Sequence, residues 1–118
     1  MSHPTHTYHL VPAAVWQASD PSADYLPEPF AAEGFIHTTH SPVEVVNTGN
    51  RHYRDDPRPY LLLRIEVARV RAPIKIEDPA GRYPHIHGPL NRDAIVAVTE
   101  VARDPDGAFR VGGGSLLR

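Results

Sequence analysis

The chain has 118 residues, close to the commonest size of one domain, so we expect a single domain over 1–118 with an ordered core over about 7–111. A net charge of −2 excludes a general attraction to nucleic acid. The absence of cysteine excludes disulfides, thiolate metal sites and a cysteine nucleophile. No signal-peptide pattern opens the chain and no apolar stretch reaches the ~20 residues of a membrane span, so we expect a cytoplasmic protein without membrane contact.

The first residues predict a strand followed directly by a helix. The segment TYHLV, residues 7–11, alternates in the manner of a half-buried strand. Pro12 ends this strand and suits the first turn of a short helix over 13–18. Prolines and acidic residues over 20–29 predict an irregular loop.

A second strand and a second helix come next. The segment EGFIHTT, residues 33–39, has the character of a strand. Ser41 is placed to cap a helix that runs to about Arg51, with Pro42 at its first position and Glu44 positioned for a capping box.

The rest of the chain is rich in strand patterns. Residues 60–67 (YLLLRIEV) begin with a continuous apolar run, which predicts a central strand. Further strands are predicted over 74–77 and 94–101, with an edge strand over 109–111 after a turn and a flexible tail over 112–118. Helices early and strands late, without a regular βαβ rhythm, indicate an α+β fold.

Histidine is the residue type that most strongly indicates a site. The chain has eight histidines, of which His9, His37 and His85 each fall in a strand-like segment. Period-two alternation puts Thr39 on the face of His37, and His87 on the face of His85. Each buried imidazole requires a hydrogen-bonding partner, so three in such settings favour a shared histidine-lined cleft over three separate structural roles.

A metal site is an alternative use of the same residues. His85 and His87 can direct two ring nitrogens to one side of a strand, and His9 or His37 could complete a three-histidine site. Because neither an HExxH motif nor a known zinc spacing is present, we expect no metal.

Other chemistries find less support in the sequence. The GGGS at 112–115 is not followed by a helix, so it lacks the context of a phosphate-binding loop. The basic cluster Arg51, Arg54 and Arg58 is balanced by neighbouring acidic residues, which indicates a solvated helix end, although the cluster could still contact a pyrophosphate. No GxSxG elbow of a serine hydrolase is present.

Three long segments together resemble the small bacterial proteins of the domain of unknown function 952 (DUF952). They are YHLVPAAVW, LPEPFAAEGFIHTTH and EDPAGRYPHIHGPLNRDAIVAV, and the blocks EGFIH and PHIHGPL are the most specific parts. Members of this family usually carry Cys and Ser, or similar residues, where this chain has Thr38 and Thr39, and often Tyr where it has His87.

The resemblance implies a fold and a site. The family is distantly similar to the ADP-ribosyltransferase-like fold, in which two antiparallel sheets clasp NAD between them, here with two short helices. It implies that His37 and His85 are catalytic, and that His9, Thr39 and His87 contact the nucleotide.

The implied activity is transfer of ADP-ribose or a phosphate group, with NAD or a related nucleotide as the ligand and an acceptor that stays unassigned. Many such transferases use Glu near the position of His85; here a histidine would act as acid, base or electrostatic stabiliser, with Glu77 as a candidate replacement carboxylate. Two alternatives remain open, a non-catalytic nucleotide-binding protein and a metal-dependent enzyme built on the same histidines.

Overall fold

Two three-stranded antiparallel sheets and three α-helices form the part of the chain that the computed structural model describes, residues 5–81 and 83–110. In chain order the elements are β1 His6–Pro12, α1 Ala13–Ala18, α2 Phe30–Glu33, β2 Ile36–His37, α3 Pro42–His52, β3 Tyr60–Glu66, β4 Ile74–Ile76, β5 Pro84–Ile86 and β6 Ile95–Glu100. Short 3₁₀ turns at Val67–Arg69 and Arg92–Ala94 precede β4 and β6. The predicted α+β class is therefore confirmed. Over the described ranges, no helix has the length and apolar character needed to cross a bilayer.

The first sheet has the order β1-β3-β6, with β3 in the centre as its apolar run predicts. Leu61, Leu63 and Ile65 of β3 are buried in the main core. In β1, burial alternates as predicted, with Thr7, His9 and Val11 facing inward. The second sheet has the order β2-β5-β4.

Helix α3 begins as the sequence predicts. The Ser41 hydroxyl accepts a hydrogen bond from the backbone N–H of Glu44 at 3.2 Å, and Pro42 occupies the first turn. The helix packs closely on Leu10 of β1 and on Phe109 because Gly49 has no side chain; a Cβ there would lie 3.2 Å from Leu10 and 3.0 Å from the Phe109 ring. It ends at His52, one residue later than predicted.

The predicted strand from Glu33 to Thr39 is wrong in its first half. Residues Phe30–Glu33 form a helical turn, which Gly34 terminates in the left-handed conformation with φ 80°. This glycine allows the chain to reverse direction, so the strand begins only at Ile36. The sequence predicts two helices, whereas the structure has a third, α2. It also predicts an edge strand that begins at Phe109, whereas Phe109 forms an isolated bridge to Arg103. Val111 and the predicted tail over 112–118 lie outside the described residues.

A buried junction joins the two sheets. Tyr8 of β1 exchanges two backbone hydrogen bonds with Thr39, at 2.7 and 2.8 Å. Beside this bridge the Thr7 hydroxyl donates to the Thr38 hydroxyl at 2.7 Å, and that hydroxyl donates to the Pro84 carbonyl of β5 at 2.5 Å. All three threonines are buried. The junction therefore fixes the position of one sheet relative to the other through hydrogen bonds that water does not reach.

We expect Thr38→Val to lower the free energy of unfolding by about 1–2 kcal/mol, because the change keeps the shape and removes two buried hydrogen bonds. Chemical denaturation monitored by circular dichroism measures this loss. Thr99→Val on β6, half-buried outside the junction, is the matched control and should change the value by no more than ~0.5 kcal/mol. Equal effects of the two substitutions would contradict a specific role of the junction.

Candidate functional site

A cleft of about 800 Å³ is formed by residues from both sheets and from α3. The first sheet and its flanks contribute Tyr8, His9 and Tyr60; the second contributes Phe35, His37, Thr39, Tyr83 and His85; and α3 with its end contributes Thr48, Arg51, His52 and Tyr53. The cleft therefore has aromatic, imidazole and guanidinium groups on its walls, together with the carboxylates of Glu28, Glu33 and Asp78.

His37 and Glu33 form a hydrogen-bonded pair at the edge of the cleft. His37 Nε2 contacts a Glu33 carboxylate oxygen, and the two residues are four positions apart across the Gly34 turn. The His37 side chain keeps 55% of its surface exposed, so its ring can reach a molecule in the cleft. A carboxylate that orients an imidazole in this way fixes which ring nitrogen carries the proton.

The Phe35 ring organises three imidazoles. It stacks on His85 with ring centroids 4.3 Å apart and an interplanar angle of 20°. It also meets the His37 ring edge-on at 4.7 Å and the His87 ring at 5.4 Å. The sequence places Phe35 on the face of His37 but does not by itself indicate this role, which depends on the pairing of β2 with β5.

Glu77 lies against the histidines of β5. Its Oε1 atom is 3.2 Å from His85 Nδ1 and 3.1 Å from His87 Nε2. The hydrogen bonds from His85 and then His87 lower the pKa of the Glu77 carboxyl, which keeps it ionised at neutral pH. His85 lines the cleft, whereas Glu77 and His87 lie beside it, outside the described lining.

His9 is buried and bonded at both ring nitrogens. Nδ1 lies 2.7 Å from the His37 carbonyl oxygen, and Nε2 lies 3.0 Å from the Tyr25 hydroxyl. Burial lowers the pKa of His9 to about 4, so the ring is neutral at pH 7. Burial also raises the pKa of Tyr25, whose hydroxyl keeps its proton and donates it to Nε2. His9 Nδ1–H then donates to the carbonyl of His37.

The predicted site residues fall into two groups. His37, His85 and His87 meet around Phe35, as the cleft hypothesis requires. His9 meets His37 through the backbone carbonyl rather than the ring, and Thr39 is 5% exposed and bonded through its main chain to β1. Ligand contact by His9 and Thr39 stays a prediction: both residues line the cleft, but the His9 ring and the Thr39 main chain are already hydrogen-bonded to neighbouring protein groups.

Arg51 is a cleft residue that the sequence analysis assigned to a solvated helix end. Its guanidinium donates to the Tyr83 hydroxyl at 3.1 Å across the cleft, from the last turn of α3. Arg54 and Arg58 instead pair with Asp106 and Asp56, at 2.6 and 2.8 Å. The sequence signal for Arg51 was its place in a basic cluster that could contact a pyrophosphate, but nothing in the sequence separated it from Arg54 and Arg58.

The buried His9 should make the protein less stable in mild acid. Its pKa is about 4 in the folded state and about 6.5 when unfolded, so the unfolded state binds more protons between these values and stability falls as the pH falls through them. Between pH 7.5 and 5.0 we expect a loss of about 2 kcal/mol from this group.

His9→Gln keeps groups that can bond His37 and Tyr25 but does not titrate, so its stability should depend less on pH over this interval. Urea unfolding of both proteins at the two pH values measures the difference. His52→Gln, on the exposed end of α3, should retain the wild-type dependence. An unchanged pH dependence in His9→Gln would show that another group is responsible.

Comparison with known proteins places the chain in a family. Protein CC0527 of Caulobacter crescentus has a similar structure, with a TM-score of 0.77 and 24% sequence identity over 92% of this chain and 96% of that one. A variant of CC0527 with two introduced methionines gives 0.76 with the same identity and coverage. This likeness shows the fold alone, and no curated protein matches the chain. The profile of DUF952, a protein family of unknown function, matches residues 10–98, so the chain belongs to the DUF952 family.

Proposed function

We propose that the protein binds a phosphorylated nucleotide, NAD or a close relative, in the cleft and is an ADP-ribosyltransferase-like enzyme that transfers ADP-ribose or a phosphate group. The observation that carries the proposal is the combination of aromatic rings, imidazoles and the Arg51 guanidinium around about 800 Å³. This volume is in the range of pockets that hold small ligands. The arrangement of two antiparallel sheets beside a cleft also supports the fold that the family resemblance implies.

The walls suit the two parts of a nucleotide. The rings of Tyr8, Phe35, Tyr53 and Tyr83 offer faces or edges for a base or a nicotinamide ring. The Arg51 guanidinium donates hydrogen bonds to the hydroxyls of Tyr83 and Thr48. Among the described residues, no carboxylate lies within ion-pair distance of this guanidinium. An anionic phosphate is the group that best completes the bonding of such a guanidinium, which can contact it through two N–H groups.

His37 is the residue we assign to acid–base chemistry. With Nε2–H donating to Glu33, the lone pair for a proton is on Nδ1. Imidazole is the side chain best suited to accept a proton near neutral pH. The His85 ring lies 5.2 Å from the His37 ring, close enough for both to act on one reacting centre.

In ADP-ribose transfer the steps would be as follows. A hydroxyl group or water attacks C1′ of the nicotinamide ribose, and the bond from C1′ to the nicotinamide nitrogen breaks. Nicotinamide leaves with that electron pair as a neutral molecule, and His37 takes the proton of the attacking group. Glu33 stabilises the imidazolium that forms, and His85 stabilises developing charge through a hydrogen bond.

The binding part of the proposal is tested with Arg51→Met. If the guanidinium contacts a phosphate, its loss removes charge-assisted hydrogen bonds, and we expect affinity for NAD and ADP-ribose to fall by about 10-fold to 100-fold. Isothermal titration calorimetry measures both ligands. Arg64→Met is the matched control, because Arg64 is exposed on β3 and lies outside the described cleft lining. The affinity of this variant for both ligands should stay within about twofold of the wild-type value. A wild-type protein that binds neither ligand would refute the proposal.

The catalytic part is tested with His37→Ala. We expect the rate of NAD cleavage to fall by about 100-fold or more, because general acid–base catalysis contributes 10²–10⁴ in rate. Glu33→Gln should lower it less, since the imidazole remains. Chromatographic release of nicotinamide measures turnover, and calorimetry on the same variants separates it from binding. Nucleotide binding by a wild-type protein that releases no nicotinamide and transfers no phosphate would favour the non-catalytic alternative.

A further inference from the structure

We propose that Glu77, His85 and His87 bind a divalent transition-metal ion at the rim of the cleft. This inference does not depend on the nucleotide proposal, because Glu77 and His87 lie outside the described cleft lining. It departs from the sequence-based expectation of no metal, which considered only a third histidine as the completing ligand. The third ligand in the structure is the carboxylate of Glu77, the residue that directly follows β4.

Two of the three separations between the ligand atoms already match those around a bound metal ion. The two imidazole nitrogens and the carboxylate oxygen lie within 4.8 Å of one another. Oε1 of Glu77 is 3.2 Å from His85 Nδ1 and 3.1 Å from His87 Nε2. Ligand atoms about 2.1 Å from an ion are about 3.0–3.4 Å apart at tetrahedral or octahedral angles. Both distances to the carboxylate oxygen fall in this range, and an ion would bind by drawing the two imidazole nitrogens, which lie within 4.8 Å of each other, to a similar separation.

The two imidazoles are held in place before any ion binds. Both lie on or next to β5, and the backbone N–H of His87 donates to the Pro73 carbonyl at 2.8 Å. Phe35 stacks on the ring of His85 and packs against that of His87. Their side chains are only 19% and 26% exposed, whereas that of Glu77 is 54% exposed. The histidines thus form a fixed pair, and the carboxylate can move to complete the site.

The charges around the cluster are compatible with a cation. Glu77 supplies a carboxylate, and its two hydrogen bonds from imidazole N–H groups are ones that an ion can replace. Lys75 lies opposite His85 in the β4–β5 register and is exposed, so its long side chain can extend into solvent, away from an ion. Asp78 follows Glu77 and accepts from the backbone N–H of Tyr83 at 3.0 Å, which stabilises the turn between the strands.

The ligand set selects the class of ion. Two imidazoles and one carboxylate suit zinc, cobalt or ferrous iron, whereas calcium and magnesium prefer sites made wholly of oxygen. Three protein ligands leave coordination positions for water or another molecule. Because His85 also lines the cleft, an ion here would lie next to whatever the cleft holds.

The test is zinc binding by the untagged full-length chain, measured by isothermal titration calorimetry, with Co²⁺ absorption as a report on the ligands. We expect one equivalent of Zn²⁺ to bind, and Glu77→Gln and His87→Ala each to weaken binding about 10-fold or more. His52→Ala removes an exposed histidine outside the cluster and should bind Zn²⁺ as the wild type does. Metal-free circular dichroism spectra of all variants should coincide.

Two results would overturn the metal site. One is a wild-type protein that takes up no stoichiometric Zn²⁺ or Co²⁺, and the other is unchanged binding by the Glu77→Gln/His87→Ala double variant. Zn²⁺ titration of Arg51→Met gives an independent readout, because Arg51 belongs to the proposed nucleotide site and lies outside the metal cluster. Wild-type Zn²⁺ binding by this variant would support the metal site whether or not NAD binds, so failure of one proposal is distinguishable from failure of the other.

Discussion

The segment from Ile36 to Thr39 belongs to both sheets, and the cleft exists because of it. Its first two residues pair with β5, and its last residue pairs with Tyr8 of β1. The side chains of Thr38 and His9 then hold this crossing in place through buried hydrogen bonds to neighbouring backbone. Because buried polar groups are costly unless bonded, this crossing is specified by the particular set of partners that satisfies it.

The histidines divide by environment into two physical types. His9 is neutral, buried and fully bonded, and it supports the peptide group of the residue that faces the cleft. His37, His85 and His87 are partly exposed, and each lies against a carboxylate, Glu33 or Glu77. The first arrangement suits a rigid core and the second suits proton transfer or ion binding. Both types occupy strand-like sequence, so the local pattern alone does not separate them.

The features that were predicted correctly from the sequence depend only on residues close together in the chain. Alternation in β1, the Ser41 cap of α3 and the central position of β3 all follow from spacing along a few residues. The features it missed depend on residues distant in the chain. The turn at Gly34 replaces half of a strand, Glu77 reaches the histidines only through the β4–β5 pairing, and Arg51 meets Tyr83 across the cleft. Strand order had to be known before these contacts could be predicted.

The long reach of these contacts also affects how the chain folds. The Thr38 hydroxyl finds its acceptor 46 residues away, and the Arg92 side chain bonds the carbonyl of Ala23 across 69 residues. Proteins whose contacts join distant parts of the chain fold slowly, on the scale of milliseconds to seconds, since loop entropy is lost before the contacts form. The cleft should therefore be among the last features to appear during folding, and a newly made chain would expose its apolar strands until α3, β5 and β1 have met.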